Sequence, residues 1–173
     1  IITAKTVNYE ARSSYDLLIR VKDQGGLTGH AAIKLNVVDV NEPPVFSEGS
    51  SLTRTILENS GAGQLMGLPI IASDEDAGVN GTLVYSLDPP SAMFEINATT
   101  GQLKTKSPLP SESEINFETT PSYDLTLVAK DISASPVQSS VTLLVSVIDV
   151  NEPPTVDSLI RTNVSEGSPV NHI

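Results

Sequence analysis

Residues 39–44 read Asp-Val-Asn-Glu-Pro-Pro, and residues 149–154 repeat the same hexamer 110 residues later. Pro43-Pro44 and Pro153-Pro154 each remove two backbone donors and fix φ. Neither copy can therefore continue a central strand or a helix. A stiff, oxygen-rich connector that recurs at domain spacing marks the joints of a modular array.

The repetition extends outward from the hexamer. Tyr15-Asp16-Leu17-Leu18-Ile19-Arg20-Val21-Lys22-Asp23 aligns with Tyr123-Asp124-Leu125-Thr126-Leu127-Val128-Ala129-Lys130-Asp131, at an offset of 108. Asn8-Tyr9-Glu10 aligns with Asn116-Phe117-Glu118 at the same offset. A glutamate follows each hexamer in a similar setting, Glu58 after the first and Glu166 after the second. Co-linear blocks give a map: residues 1–40 as the C-terminal part of one unit, 41–150 as a complete unit, and 151–173 as the start of a further one. The middle unit is near the usual ~100–150 residue domain size and long enough for its own core. The flanking pieces are not, so their apolar strands are expected to be poorly covered.

Composition points to an all-β class. Aromatics are only 4%, and twelve prolines and eleven glycines punctuate the chain, which suits short strands and turns. Alternation is clearest at Tyr123, Leu125, Leu127, Ala129 and at Val141, Leu143, Val145, Val147. Ala31, Ile33, Leu35 and Val37 form the corresponding set in the first piece. Further strands are expected at Leu52–Leu57, Gln64–Ile71, Thr82–Leu87, Ala92–Ile96 and Gln102–Lys106. Together with the two alternating segments they make the seven of an immunoglobulin-like sandwich. Ser111–Phe117 reads as at most a turn.

The acid-to-base balance is 21 to 10, a net charge of −11. Such a surface argues against nucleic acid, which needs clustered Lys and Arg, and suits a cation. The absence of cysteine excludes disulfides and thiolate metal sites. No apolar run approaches the ~20 residues of a membrane span. An enzymatic reading is weak: His30 and His172 lack partners at suggestive spacing, and with no tryptophan the paired carboxylates lack an aromatic sugar platform.

Carboxylates gather at strand ends and connectors: Asp39, Glu42, Glu58, Asp74, Asp76, Glu118, Asp131, Asp149 and Glu152. Acids crowded together repel unless a cation offsets their charge, and calcium takes six to eight oxygens from carboxylates and carbonyls. Asp74-Glu75-Asp76-Ala77-Gly78-Val79-Asn80 opens like an EF-hand loop. It then fails, with Val79 where glycine is required and Tyr85 where glutamate is required. The loop must borrow ligands from elsewhere.

Leu57-Glu58-Asn59, the Asp-x-Asp-x-Gly-x-Asn-Gly segment at 74–81, Asn116-Phe117-Glu118, Ala129-Lys130-Asp131 and the hexamer, in this order, resemble an extracellular cadherin repeat. The resemblance spans essentially the whole chain. It implies a seven-stranded Greek-key sandwich in tandem repeats, with Ca²⁺ between successive repeats, three ions at a filled junction. By resemblance, the first junction takes Asn8, Glu10, the Val40 carbonyl, Asn41, Glu42, the Pro43 carbonyl, Asp74, Asp76, the Asn80 carbonyl and Asp131. The second takes Glu58, Asn116, Glu118, the Val150 carbonyl, Asn151, Glu152 and the Pro153 carbonyl, and is incomplete because its remaining aspartates fall beyond Ile173. Asp39 begins the motif as a structural residue rather than a ligand. Asp23 serves an earlier junction and Glu166 a later one.

Three departures stand out. Asn8 and Asn116 replace the usual aspartate, Glu42 and Glu152 replace another aspartate, and Pro43 and Pro153 replace an asparagine of which only the carbonyl is used. The Asn changes remove one negative charge per junction, so affinities on the order of 10⁻⁴ to 10⁻³ M are expected. Glu10, Glu42, Asp74, Asp76 and Asp131 supply −5. One more glutamate from a preceding repeat would let three Ca²⁺ balance the site.

The resemblance implies a calcium-dependent adhesion or spacer module of an extracellular ectodomain. The parent would be a cell-surface, single-pass membrane protein acting in homophilic cell–cell adhesion. Its partners would be neighbouring repeats and another cadherin-type protein, with no nucleic acid and no membrane insertion in this segment. The alternative is a calcium-stabilised stalk of a surface adhesin that binds carbohydrate or another protein. Sequons at Asn80, Asn97 and Asn163 permit N-glycans in a secretory host.

Overall fold

The computed structural model describes residue 3, residues 5–107, residue 109, residues 115–154 and residue 166. Most of the expected third unit, the Asn163 sequon and part of the 111–117 turn lie outside the described residues. Among the described residues every element is a strand. β1 (Ser14–Lys22) and β2 (Thr28–Asn36) form an antiparallel hairpin. Asp23 Oδ1 accepts from the Leu27 N–H at 2.8 Å and holds its turn. The hairpin leaves Leu18 71% and Val21 64% exposed, the poor coverage anticipated for residues 1–40.

After the connector come β3 (Val45–Phe46), β4 (Ser51–Leu57), β5 (Ala72–Ser73), β6 (Leu83–Leu87), β7 (Phe94–Ile96), β8 (Leu103–Thr105), β9 (Ser122–Asp131) and β10 (Gln138–Ile148). One layer is a four-stranded sheet of order β4-β10-β9-β6, and the pairs β3-β5 and β7-β8 supply the other side. β10 runs antiparallel to β9 but parallel to β4, with Thr142 opposite Ser51 and Ile148 opposite Leu57.

Period-2 patterning sets which residues meet between the layers. Leu127 and Ala129 of β9 and Val141, Leu143, Val145 and Val147 of β10 are buried. They form one core with Leu52, Ile56, Tyr85 and Leu87 on the sheet and with Phe46, Met66, Ile70, Phe94, Leu103 and Ile115 opposite.

One expected strand is absent. Gln64–Ile71 is irregular, although Met66 and Ile70 donate to Leu103 and Gly101 and the segment stays bonded to the β8 edge. Gly67 has φ +60 and Pro69 offers no donor, so a regular ladder cannot run through it. Its buried positions, Met66 and Ile70, are four apart rather than alternating. The expected Ala92–Ile96 and Gln102–Lys106 contract to β7 and β8. Short β3 and β5, which the sequence did not announce, complete the second layer.

Candidate metal centre

The first hexamer enters the repeat between the loop after β5 and the end of β9. Pro44 is buried and, lacking an N–H, leaves no donor there to satisfy. Asn41 Nδ2 donates to Asp131 Oδ2 (3.2 Å), Ser133 Oγ (3.3 Å) and the Ser135 carbonyl (3.1 Å). The Glu42 N–H donates to Asp76 Oδ2 at 3.1 Å, and the Asp76 N–H to Asp74 Oδ1 at 3.0 Å. These bonds hold the connector against the repeat.

Two neighbours fix the aspartate loop. The Tyr85 hydroxyl, carried on β6, accepts from the buried Ala72 N–H at 2.9 Å. Gly81 backs the loop so closely that a Cβ there would lie 2.0 Å from the Asp76 carbonyl oxygen. Asp131 is 1% exposed. Burial raises its pKa, but the Ser133 hydroxyl, the Val137 and Ser133 N–H groups and the Asn41 amide outweigh this and hold it at about 2.

Glu10, Asp39, Glu42 and Asp76 each place a carboxylate oxygen within 4.8 Å of the others. Burial raises the Glu42 pKa, and the charges of Glu10, Asp76, Asp39 and Glu75 raise it further. The two ion pairs among the described residues, Arg54–Glu48 and Lys104–Glu95, lie elsewhere, so no basic side chain among those residues pairs with these acids. Asn41 Oδ1, Glu42 Oε2, Asp74 Oδ2 and Asp76 Oδ1 are buried without a hydrogen-bond partner among the described residues. Buried acceptors without donors are costly. Glu42 and Asp76 belong to the four-carboxylate cluster, while Asp74 is bonded to Asp76 and Asn41 to Asp131. This donor set has the hard-oxygen chemistry of a Ca²⁺ site, so the residues present fit the ion that the cadherin resemblance implies.

The other expected ligands divide. Asn8 Oδ1 accepts from the Ala11 N–H at 2.6 Å, while its Nδ2 donates to Glu75 Oε2 at 2.9 Å. Its oxygen therefore caps a turn, and its amide ties the first hairpin region to the aspartate loop. Asn116 caps likewise, accepting from the Thr119 N–H at 2.8 Å. The carbonyls of Val40, Pro43, Asn80, Val150 and Pro153 accept no hydrogen bond from the described residues.

A second cluster forms at the other end of β10, where Glu58, Glu118, Asp149 and Glu152 place oxygens within 4.8 Å of one another. Glu58, 3% exposed, accepts from the Val150 N–H at 2.6 Å and the Phe117 N–H at 3.0 Å. These N–H groups pull its pKa below the ordinary range against the effect of burial, with help from Glu118 and Glu152. Asn59, at φ 59, donates from Nδ2 to Glu152 Oε1 at 2.8 Å. Asn151 is exposed. Glu166 is exposed too and belongs to neither cluster.

Asp39 and Asp149 are not among the expected ligands, yet each joins a cluster. They hold the first position of the two hexamers, and their recurrence is the available signal. Glu75 is not among them either, since only the fold brings it to Asn8.

The cadherin domain family matches residues 53–148. Human Protocadherin-12 is 32% identical over 160 residues, covering 88% of this chain and 13% of that protein. Protein dachsous of Drosophila melanogaster is 33% identical over 178 residues, covering 98% of this chain and 5% of its own length. The chain thus spans a small fraction of these curated relatives. Among solved structures, extracellular cadherin domains 1–5 of Protocadherin Gamma B2 superpose with a TM-score of 0.64 at 27% identity, covering 87% of this chain and 29% of that one. Domains EC22–24 of mouse Cadherin-23 give 0.62 at 29% identity, covering 84% and 46%. Cadherin extracellular repeats are calcium-binding Greek-key sandwiches of an adhesion family, and a match over more than half the residues, with the strand order and acidic joints above, means that this chain belongs to the cadherin family.

Proposed function

We propose that the chain is a calcium-stiffened segment of an extracellular cadherin-type ectodomain, with its ion sites at the connectors 39–44 and 149–154. The observation that carries this reading is the set of orphaned buried oxygens on Asn41, Glu42, Asp74 and Asp76. Under this proposal the division falls as 1–40, 41–150 and 151–173. Glu10, Asp39, Glu42, Asp74, Asp76 and Asp131 hold the first site, with Asn41 Oδ1 and the carbonyls of Val40, Pro43 and Asn80. Glu58, Glu118, Asp149 and Glu152 hold the second, with Asn151 and the carbonyls of Val150 and Pro153. Asn8 and Asn116 act through their turns.

Bound Ca²⁺ supplies the positive charge that these acids lack. The protein's part is to bring acids from two units and their connector to one point. Without the ion, Glu10, Glu42 and Asp76 repel across the joint and the connector is a hinge. When the site is filled, bending the joint means losing ligands.

The role is structural rather than enzymatic: a spacer in a cell-surface protein whose partner is another cadherin-type protein, acting in homophilic adhesion. Support for such a partner comes from family members, one of which, protocadherin gammaB7, has a cis-dimer structure of its EC3–6 domains. Small-angle scattering of an array containing residues 1–173, with calcium and with EGTA, tests the mechanism. The expected result is a longer, narrower particle with calcium. Identical dimensions in both buffers would overturn it.

A further inference from the structure

Three sequons occur, and the structure separates the two that it describes. Asn97 opens the turn between β7 and β8. Its N–H donates to the Gln102 carbonyl, and its own carbonyl accepts from Gly101, both at 2.9 Å. Its side-chain Oδ1 accepts from the Thr99 N–H at 3.0 Å and the Thr100 N–H at 2.9 Å. The turn is further pinned where the Tyr85 N–H donates to the Ala98 carbonyl at 2.9 Å. Residues 97–100 are all exposed. Among the described residues, neither Asn97 Nδ2 nor Thr99 Oγ1 has a hydrogen-bond partner.

Asn80 is the opposite case. It is half-buried, and the next residue, Gly81, lies against the Asp76 carbonyl. The hydroxyl of its sequon threonine, Thr82, already donates to the Gly78 carbonyl at 2.7 Å. A sugar there would crowd the loop that holds Asp74 and Asp76.

We propose that Asn97 is an N-glycan attachment site and that the folded repeat carries its sugar there rather than at Asn80. The inference rests on the extracellular reading above, which places the chain in a glycosylating compartment. The co-substrate is a lipid-linked oligosaccharide diphosphate. Asn97 Nδ2 forms a bond to C1 of the terminal N-acetylglucosamine while the bond from C1 to the diphosphate oxygen breaks. The lipid diphosphate leaves with the electron pair, and one amide proton passes to a base of the transferase. The product keeps the Asn97 carbonyl and one N–H, so both bonds to Oδ1 survive modification. The finished turn accepts the sugar without displacing any of its contacts.

The test uses the chain secreted from a glycosylating eukaryotic cell. N-glycans are removed with a glycan amidase in heavy-oxygen water, and labelled positions are mapped by peptide mass spectrometry. The label is expected at residue 97 and not at residue 80. Thr99→Ser should keep it and Thr99→Ala should abolish it, both retaining the backbone donor of the turn, while Thr82→Ala should leave it unchanged. An unlabelled residue 97 in secreted, folded protein would overturn the inference, as would label at residue 80. Calcium-dependent stiffening is measured separately on the same material, so failure of one does not imply failure of the other.

Discussion

Gly81→Ala isolates the geometry of the first acidic cluster without touching a charge. A Cβ added at Gly81 on the present backbone would lie 2.0 Å from the Asp76 carbonyl oxygen and 2.9 Å from its carbon. Real Cβ contacts begin near 3.0 Å and are ordinary from 3.4 Å, so the two sides of the loop must separate by 1.0 to 1.4 Å. The atom met is backbone, which cannot swing away as a side-chain tip can. A metal site tolerates about ±0.2 Å in its ligand distances, so the displacement exceeds that several-fold. Asp76 also accepts from the Glu42 N–H, and its shift carries the connector with it. Calcium affinity at this site should fall about 10–100-fold, as for loss of a group that orients a ligand, or ~1.4–2.8 kcal/mol. Crowding should cost a further ~1–3 kcal/mol of stability in EGTA. Isothermal calorimetry reads the first quantity and thermal unfolding by circular dichroism the second. Gly61→Ala is the matched control, since nothing lies within 4 Å of a Cβ there. Wild-type calcium binding by Gly81→Ala would refute the assignment of Asp76 to the site.

Leu143→Ala, at a fully buried position in β10, should cost about 2–5 kcal/mol by denaturant unfolding; a loss under ~1 kcal/mol would mean that the core is not centred there. In calcium-free buffer, Asp131 has a folded pKa of about 2 against an ordinary 3.8. Its lowered pKa makes its contribution full above pH 3.8 and progressively lost as pH falls toward 2. Asp131→Asn should therefore flatten the dependence of Tm on pH across this window, and an unchanged slope would contradict the hydrogen-bond assignment. Glu58→Gln keeps an acceptor for Phe117 or Val150 but removes the charge. It should weaken calcium binding at the second cluster about tenfold or more while sparing the first. Equal weakening at both clusters in calorimetry would show that they are not separate sites.

The strongest strands were legible because one face of each is buried and the other is more exposed, Val128 of β9 excepted. Leu127 and Ala129, and Val141 to Val147 by twos, name their own side of the sheet. The 64–71 segment misled because Leu65, Met66, Leu68, Ile70 and Ile71 make an apolar run, and neither Gly67 nor Pro69 prevents hydrogen bonds to an edge. Those residues stop only the regular ladder. β3 and β5 escaped notice because two residues carry no period. At the site, Glu42 and Asp76 were readable as acids at strand ends. The Glu42 N–H to Asp76 bond and the Asn8–Glu75 bond were not, since they join residues 34 and 67 positions apart. The turn-capping bonds of Asn8 and Asn116 were hidden for a related reason: the asparagine oxygen that could face a cation also caps a turn, and only the fold shows the turn bond.

The parallel pairing of β4 with β10 has a mechanical consequence. The chain enters the repeat beside Asp131 and leaves it beside Glu58, so tension along an array pulls the leading end of β4 one way and the trailing end of β10 the other. The seven register pairs from Ser51–Thr142 to Leu57–Ile148 are then loaded in shear. A zipper geometry would open them one after another, whereas sliding parallel strands must break many bonds together. β10, at 11 residues and roughly 36 Å, is therefore the member that transmits pull from one acidic joint to the next.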